Sequence, residues 1–287
     1  MIGIVTDSNS QLPDKLRARY GVEVVPLSVV IDGESFREGV DISADEFYAR
    51  FESRTPEVST TLPSPGQFAD AYARVAATGV TSILSIHIGS AISGTLNSAR
   101  IAAEDSPVPV RLVDTGVASF GIACCVWEAA ESVLDGASID EAAELAERLA
   151  ASVGNVFVVR ALDLARAGGR LASNVEVRDP ESFPILSMVQ GEIRAVGTAH
   201  DVDEAVTAMA DYVLLSSRGG GRDGQGEHLR VAVGVADAGA SPLSTALHDV
   251  LSGHPLVKDI VEYRIGPSVG MHTGPGTAGA FFYPAVV

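Results

Sequence analysis

Residues 82–98 read SILSIHIGSAISGTLNS. The apolar run from Ile83 to Ile88 is short and β-branched, as a buried strand is, and it stops at Gly89. The segment that follows carries Ser90, Ser93, Thr95, Asn97 and Ser98, with no charged side chain before Arg100. A catalytic centre ordinarily brings a proton carrier. This stretch brings only neutral hydrogen-bonding groups to the end of a strand.

Outward from this segment, strand-like runs recur at Ile2–Val5, Val22–Ile31, Val110–Val113 and Val156–Val159, with helical stretches between them. Several helices open on a capping box, in which a Ser side chain and the residue three positions on satisfy each other's orphan amides. Ser43-Ala-Asp-Glu46, Ser64-Pro-Gly-Gln67 and Ser138-Ile-Asp-Glu141 have that form. After Ser138, the residues Ala142, Leu145, Leu149 and Val153 recur at helical steps. Strands alternating with helices imply a parallel sheet covered on both faces. The second half reads differently: a hairpin over Pro184–Val189 and Glu192–Val196, a helix from Asp201 to about Leu215, and a glycine-rich loop at Gly219–Glu227. A strand at Leu229–Val235, a helix after Ser241-Pro242 and a strand at Val257–Ile265 complete it. The expected architecture is α/β in two domains. Residues 1–160 form a parallel sheet flanked by helices, and 161–287 form an α/β domain with a mixed sheet.

The chain has 287 residues, 46% of them hydrophobic, with 37 acidic against 20 basic side chains and a formal net charge of −17. A surface of that sign repels nucleic acid and anionic lipid headgroups. No apolar run approaches the length of a membrane span, and the first ten residues read as a strand. Cys124 and Cys125 are adjacent in an apolar run and are expected as packed thiols in a cytoplasmic protein.

Ligands of open parallel sheets bind beyond the carboxyl ends of the strands. Those ends are Thr6-Asp7-Ser8-Asn9, His87-Ile-Gly-Ser90 and Asp114-Thr115-Gly116. Ordinary turn chemistry accounts for any one of them; three in register with the SGT run suggest a site. Three chemical motifs fail. Gly89-Ser-Ala-Ile-Ser-Gly94-Thr95 has the glycine spacing of a P-loop, but Thr95 replaces the lysine. Gly274-Pro-Gly276-Thr-Ala-Gly279 imitates a dinucleotide fingerprint too near Val287 for the rest of that unit. Ser93 with His272 evokes an acyl hydrolase, but no glycine stands two residues before Ser93. The six histidines have no metal-ligand spacing, so no metal and no cofactor is expected.

The chain resembles the DegV family, the fatty-acid-binding proteins of fatty-acid kinase systems. The matching pieces run in order along nearly the whole chain. They are VTDSNSQLP, STTLPSPGQF, IGSAISGTLNSAR, VDTGVASFG, ARAGGRL, PILSMVQGEI and GMHTGPGTAGAFF. The resemblance implies two α/β domains with a long-chain fatty acid in an apolar tunnel between them. It implies that Thr60, Ser93 and His272 meet the carboxylate, with Thr61, Gly94 and Thr95 as neighbours. It also implies that the protein is a carrier, not an enzyme, which presents its lipid to a separate kinase subunit. Leu62 stands where the family often has glutamine, and His200 where many members have arginine. A free-standing lipid store or sensor, and an acyl hydrolase using Ser93, are the alternatives. Arg170 matches the family without an assigned role.

Overall fold

The computed structural model describes residues 1–160, 182–189, 192–216 and 228–285. Arg170, the Gln190-Gly191 turn and the Gly219–Glu227 loop lie outside the described residues.

The first half runs β1 (Ile2–Asp7), α1 (Asp14–Tyr20), β2 (Glu23–Val25), β3 (Ser28–Ile31), β4 (Glu34–Arg37), α2 (Ala44–Ala49), β5 (Val58–Thr61) and α3 (Pro65–Ala76). It continues through β6 (Ser82–His87), α4 (Thr95–Ala103), β7 (Val110–Asp114), α5 (Phe120–Leu134) and α6 (Ile139–Ala150). The second half follows with β8 (Gly154–Val158), β9 (Phe183–Val189), β10 (Glu192–Ala199), α7 (Val202–Ser216) and β11 (Leu229–Val235). It ends with α8 (Ser241–Ser252), β12 (Val257–Arg264), α9 (Pro267–Thr273) and β13 (Ala278–Pro284). Contacts group the chain into two compact units, Met1–Ser43 with Pro56–Ser152, and Ala44–Thr55 with Val153–Val287. The junction thus falls at Ser152/Val153 rather than at residue 160, and α2 goes with the second unit.

In the first unit, β2-β1-β6-β7 form a parallel sheet. Alternation along its strands feeds two cores. Ile4, Leu84, Ile86 and Val113 pack with Cys125, Val126 and Ala129 of α5 and with Ala142, Ala143 and Ala146 of α6. Val5, Val25 and Ile83 pack with Phe68, Ala71 and Tyr72 of α3 and with Ala99 and Ala102 of α4. The sheet is therefore covered on both faces, as alternating strands and helices require. Cys124 and Cys125 are wholly buried, and burial pushes both thiols up, Cys125 to about 12. They are packing groups rather than reactive ones.

The single expected strand Val22–Ile31 is two. Pro26 lacks the N–H that a continuing ladder would use, so β2 stays in the parallel sheet and β3 leaves it. Strand β3 pairs antiparallel with β4 and β5 in a separate three-stranded sheet. Asp32 (φ 51°) and Gly33 (φ 87°) make the tight turn between β3 and β4. Both are left-handed, the conformation that favours Asp-Gly in hairpins.

The second unit carries a six-stranded mixed sheet, β10-β9-β8-β13-β11-β12, parallel at β11–β12 and antiparallel elsewhere. Helices α7 and α8 cover one face through Ala205, Met209, Val213, Leu243, Leu247 and Leu251. Strand β13 lies inside this sheet, in a place the sequence reading left as a glycine-rich end.

Local signals place the helix starts. Ser64 Oγ accepts from Gln67 N at 3.3 Å and Gln67 Oε1 accepts from Ser64 N at 2.9 Å, with Pro65 in the first helical turn. Ser64→Ala removes one half of that exchange. It is expected to lower the free energy of urea unfolding by about 1 kcal/mol; a midpoint equal to wild type would show that the box contributes nothing.

Candidate functional site

The carboxyl ends of β1, β6 and β7 meet around one buried carboxylate. Asp7 Oδ2 accepts from His87 Nδ1 at 2.9 Å and from the Ile88 amide at 3.2 Å, while Oδ1 accepts from the Asn9 amide at 3.1 Å. Asn9 Oδ1 accepts in turn from the Ser119 amide at 2.9 Å. The His87 carbonyl accepts from Thr115 Oγ1 at 2.8 Å. The polar residues at the strand ends thus tie three connections together, which is more than separate turns would do.

Behind His87, its Nε2 meets Ser85 Oγ at 2.7 Å, and Ser85 Oγ meets the Tyr72 hydroxyl at 3.0 Å. Burial is the main cause that lifts the Tyr72 hydroxyl to about 12, with the Ser85 bond opposing it, so the phenol keeps its proton. This Ser–His–Asp order resembles a hydrolase triad. Asp7, Ser85 and His87 are each 0% exposed, however, so no substrate reaches the serine. His87 is a core histidine.

One residue beyond Ile88, the chain turns. The Gly89 amide donates to the Val117 carbonyl at 2.9 Å, and the Gly89 carbonyl accepts from the Ile92 and Ser93 amides at 2.8 and 3.0 Å. This turn delivers Ser93 to the start of α4. Ser93 Oγ accepts from the Thr95 amide at 3.3 Å and meets Thr95 Oγ1 at 2.9 Å. Gly94 is the N-cap of α4, and Ser93 stands one residue before it, its oxygen bonded to the first helical amide. Thr95 is wholly buried, whereas Ser93 is half-buried. Either hydroxyl can donate in the Ser93–Thr95 contact; when Thr95 donates, the Ser93 hydrogen is left for a further acceptor.

Strand β5 pairs Thr60 with Val29 and Thr61 with Ser28. Alternation puts Val58 and Thr60 on the face of buried Val29 and Ile31, and Ser59 and exposed Thr61 on the other. The two threonines therefore point opposite ways, and a single carboxylate can draw on only one of them. Leu62, one residue further, is 47% exposed, and its Cδ2 lies 3.1 Å from where a Cβ on Gly94 would stand. The STTLP and SGT segments therefore abut in the first unit.

His272 is half-buried on α9 of the second unit. A Cβ on Gly270 would stand 2.4 Å from the Tyr48 hydroxyl and 3.0 Å from Phe47 Cε1, so α9 lies flush against α2. Arg264 pairs with Asp45 of α2. Here too is the reason residues 44–55 join the second unit. His200 closes the start of α7: its amide and Nδ1 both meet Glu204 Oε2, at 2.9 and 3.0 Å. These bonds, the backbone one first, hold the Glu204 carboxyl below its ordinary value. The position departing from arginine thus stands just before Asp201, whose carboxylate caps α7 by accepting from the Glu204 amide at 2.8 Å.

The Gly274–Gly279 stretch runs into a strand, β13, where a dinucleotide fingerprint opens a helix. Among the described residues no group of three or more His, Cys, Asp or Glu is placed to hold a metal. No helix among them is long and apolar enough to cross a membrane.

Sequence reading missed the pairing of Asp7 with His87. The pairing depends on strand register: Thr6 and Ile86 are partners on adjacent strands, and Asp7 and His87 each come next.

Both units are α/β, and the carboxyl ends of the first unit's parallel strands lead into a turn of neutral hydroxyls. The model of the DegV family, described as one of uncharacterised proteins, matches residues 1–285. A DegV domain-containing protein of Streptomyces coelicolor is 33% identical over 280 residues, covering 97% of this chain and 96% of its own. The chain belongs to the DegV family. Among solved structures, a DegV family protein from Thermus thermophilus described by its fatty acid binding is similar with a TM-score of 0.83. Their identity is 31%, and 99% of each chain is covered. A stearic-acid-binding protein from Eubacterium ventriosum is similar with a TM-score of 0.83 at 25% identity, over 99% of this chain and 98% of its own.

Proposed function

We propose that this protein binds a long-chain fatty acid and presents its carboxylate to a separate fatty-acid kinase subunit in the cytoplasm. The observation that carries the reading is the half-buried Ser93 hydroxyl, held beside buried Thr95 in the turn after β6. It stands at the amino end of α4, where the helix dipole favours negative charge. Thr60, on the opposite face of β5 from Thr61, supplies the second donor in this reading. Neutral donors hold a carboxylate without protonating it, as a carrier needs when the phosphorylation happens elsewhere. The acyl chain supplies most of the affinity, at roughly 0.8 kcal/mol per buried CH₂, and the head group sets orientation. Membership of a family whose relatives bind fatty acids supports the same reading.

Mass spectrometry of solvent extracts from protein purified without detergent tests the lipid. A stoichiometric long-chain fatty acid is expected, and a lipid-free extract from folded protein would overturn the reading. Kinase presentation has its own arm. Lipid-loaded protein with ATP is expected to release no ADP alone and to yield acyl phosphate when a fatty-acid kinase subunit is added. Loading without that second response would leave a free-standing lipid store or sensor.

A further inference from the structure

We infer that Asp7 and His87 are positioning residues for the carboxylate-binding turn, an inference that rests on the lipid-binding reading above. Neither reaches the ligand in this scheme. Asp7 Oδ2 holds the Ile88 amide at 3.2 Å, and the next residue, Gly89, accepts the Ser93 amide at 3.0 Å. Two consecutive backbone links therefore separate the buried carboxylate from the residue that offers its hydroxyl. Asp7 is itself fixed by the imidazole. A carboxylate only accepts, so His87 Nδ1–H donates to Asp7, and that end sets the direction of the chain. Tyr72 donates to Ser85, Ser85 donates to His87 Nε2, and His87 Nδ1–H donates to Asp7. This order leaves the imidazole as one tautomer with its donor aimed at the carboxylate. A buried carboxylate needs its donors, so removing the imidazole hydrogen drives Asp7 to rearrange, and the Ile88 amide moves with it.

Two isosteric substitutions separate this role from plain packing. Asparagine places an amide nitrogen where Nδ1 was, so His87→Asn keeps the donor to Asp7 and loses Ser85. Glutamine places its amide where Nε2 was, so His87→Gln keeps Ser85 and loses the donor to Asp7. Both give up the edge-on contact with the Phe68 ring, at 5.1 Å between centroids, so that packing loss is common to them. Oleate affinity, read by displacement of a fluorescent fatty acid, is expected to fall about 10-fold in His87→Gln and to stay within about 3-fold of wild type in His87→Asn. The range follows from the loss of a hydrogen bond to a charged group. Equal affinities in the two variants, at similar melting temperatures, would reduce the network to core packing. Amide hydrogen exchange over residues 88–95, without lipid, gives a second arm. Faster exchange there in His87→Gln alone is expected, and unchanged exchange would overturn the inference. Failure of wild type to bind oleate would instead strike the lipid-binding reading, while the exchange arm would still decide the role of Asp7 and His87.

Discussion

Ser93→Ala is expected to weaken fatty-acid binding by roughly 10- to 150-fold, the equivalent of one hydrogen bond to a charged group. The serine oxygen does two jobs in the structure. It accepts from the Thr95 amide at the helix start and meets the Thr95 hydroxyl, and in the proposed cradle it also donates to the ligand. Alanine loses both. The bond to the Thr95 amide alone is worth about 1 kcal/mol of stability, so thermal unfolding and fatty-acid affinity must be measured together. A lowered melting temperature with unchanged affinity would make Ser93 only a support for the helix start, and the carboxylate cradle would fall. His272→Ala supplies a comparison. Imidazole is in part neutral near pH 7, so lipid retention is expected to fall less than with Ser93→Ala.

Local chemistry was legible in the sequence, and long-range pairing was not. The box at Ser64 appears in the fold as read, because a capping box is decided within four residues. The strand end at Gly89 and the helix after the SGT run were equally local. The first hairpin was missed although its signals were present. Pro26 removes a ladder donor and Asp32-Gly33 is a hairpin turn, yet the apolar run Val22–Ile31 was read as continuous. Strand β13 was missed because glycines and prolines precede it, although AGAFFY is apolar enough for the inside of a sheet. No local pattern sends residues 44–55 to the second unit, since the reason lies in Gly270 lying flush against α2 more than 200 residues later. Candidate binding residues were legible as hydroxyls without charge. The support behind them was not, because Asp7 and His87 lie 80 positions apart and meet only through parallel pairing of β1 with β6.

Gly89→Ala is expected to destabilise the first unit by about 3 kcal/mol, at the upper end of what forced packing costs, and to abolish measurable fatty-acid binding. A Cβ at Gly89 would stand 2.7 Å from both the carbonyl carbon and the Cα of Gly116. Those are backbone atoms of the neighbouring turn, so no side chain can swing aside to make room. Nor can Gly89 easily retreat. Its amide is held by the Val117 carbonyl, and its own carbonyl holds the Ile92 and Ser93 amides. Any shift that relieves the clash therefore carries Ser93 away from its place at the start of α4. Gly94→Ala, five residues on, is the control. There the new Cβ would meet only Leu62 Cδ2 at 3.1 Å, the far end of an exposed side chain that can rotate away. Urea unfolding of the two variants is expected to separate them by at least about 2 kcal/mol, with Gly94→Ala close to wild type. Equal and small losses in both would mean that the β6 and β7 turns yield to one another. The turn would then be too compliant to hold Ser93 against a carboxylate, and a rigid cradle would have to be sought elsewhere in the chain.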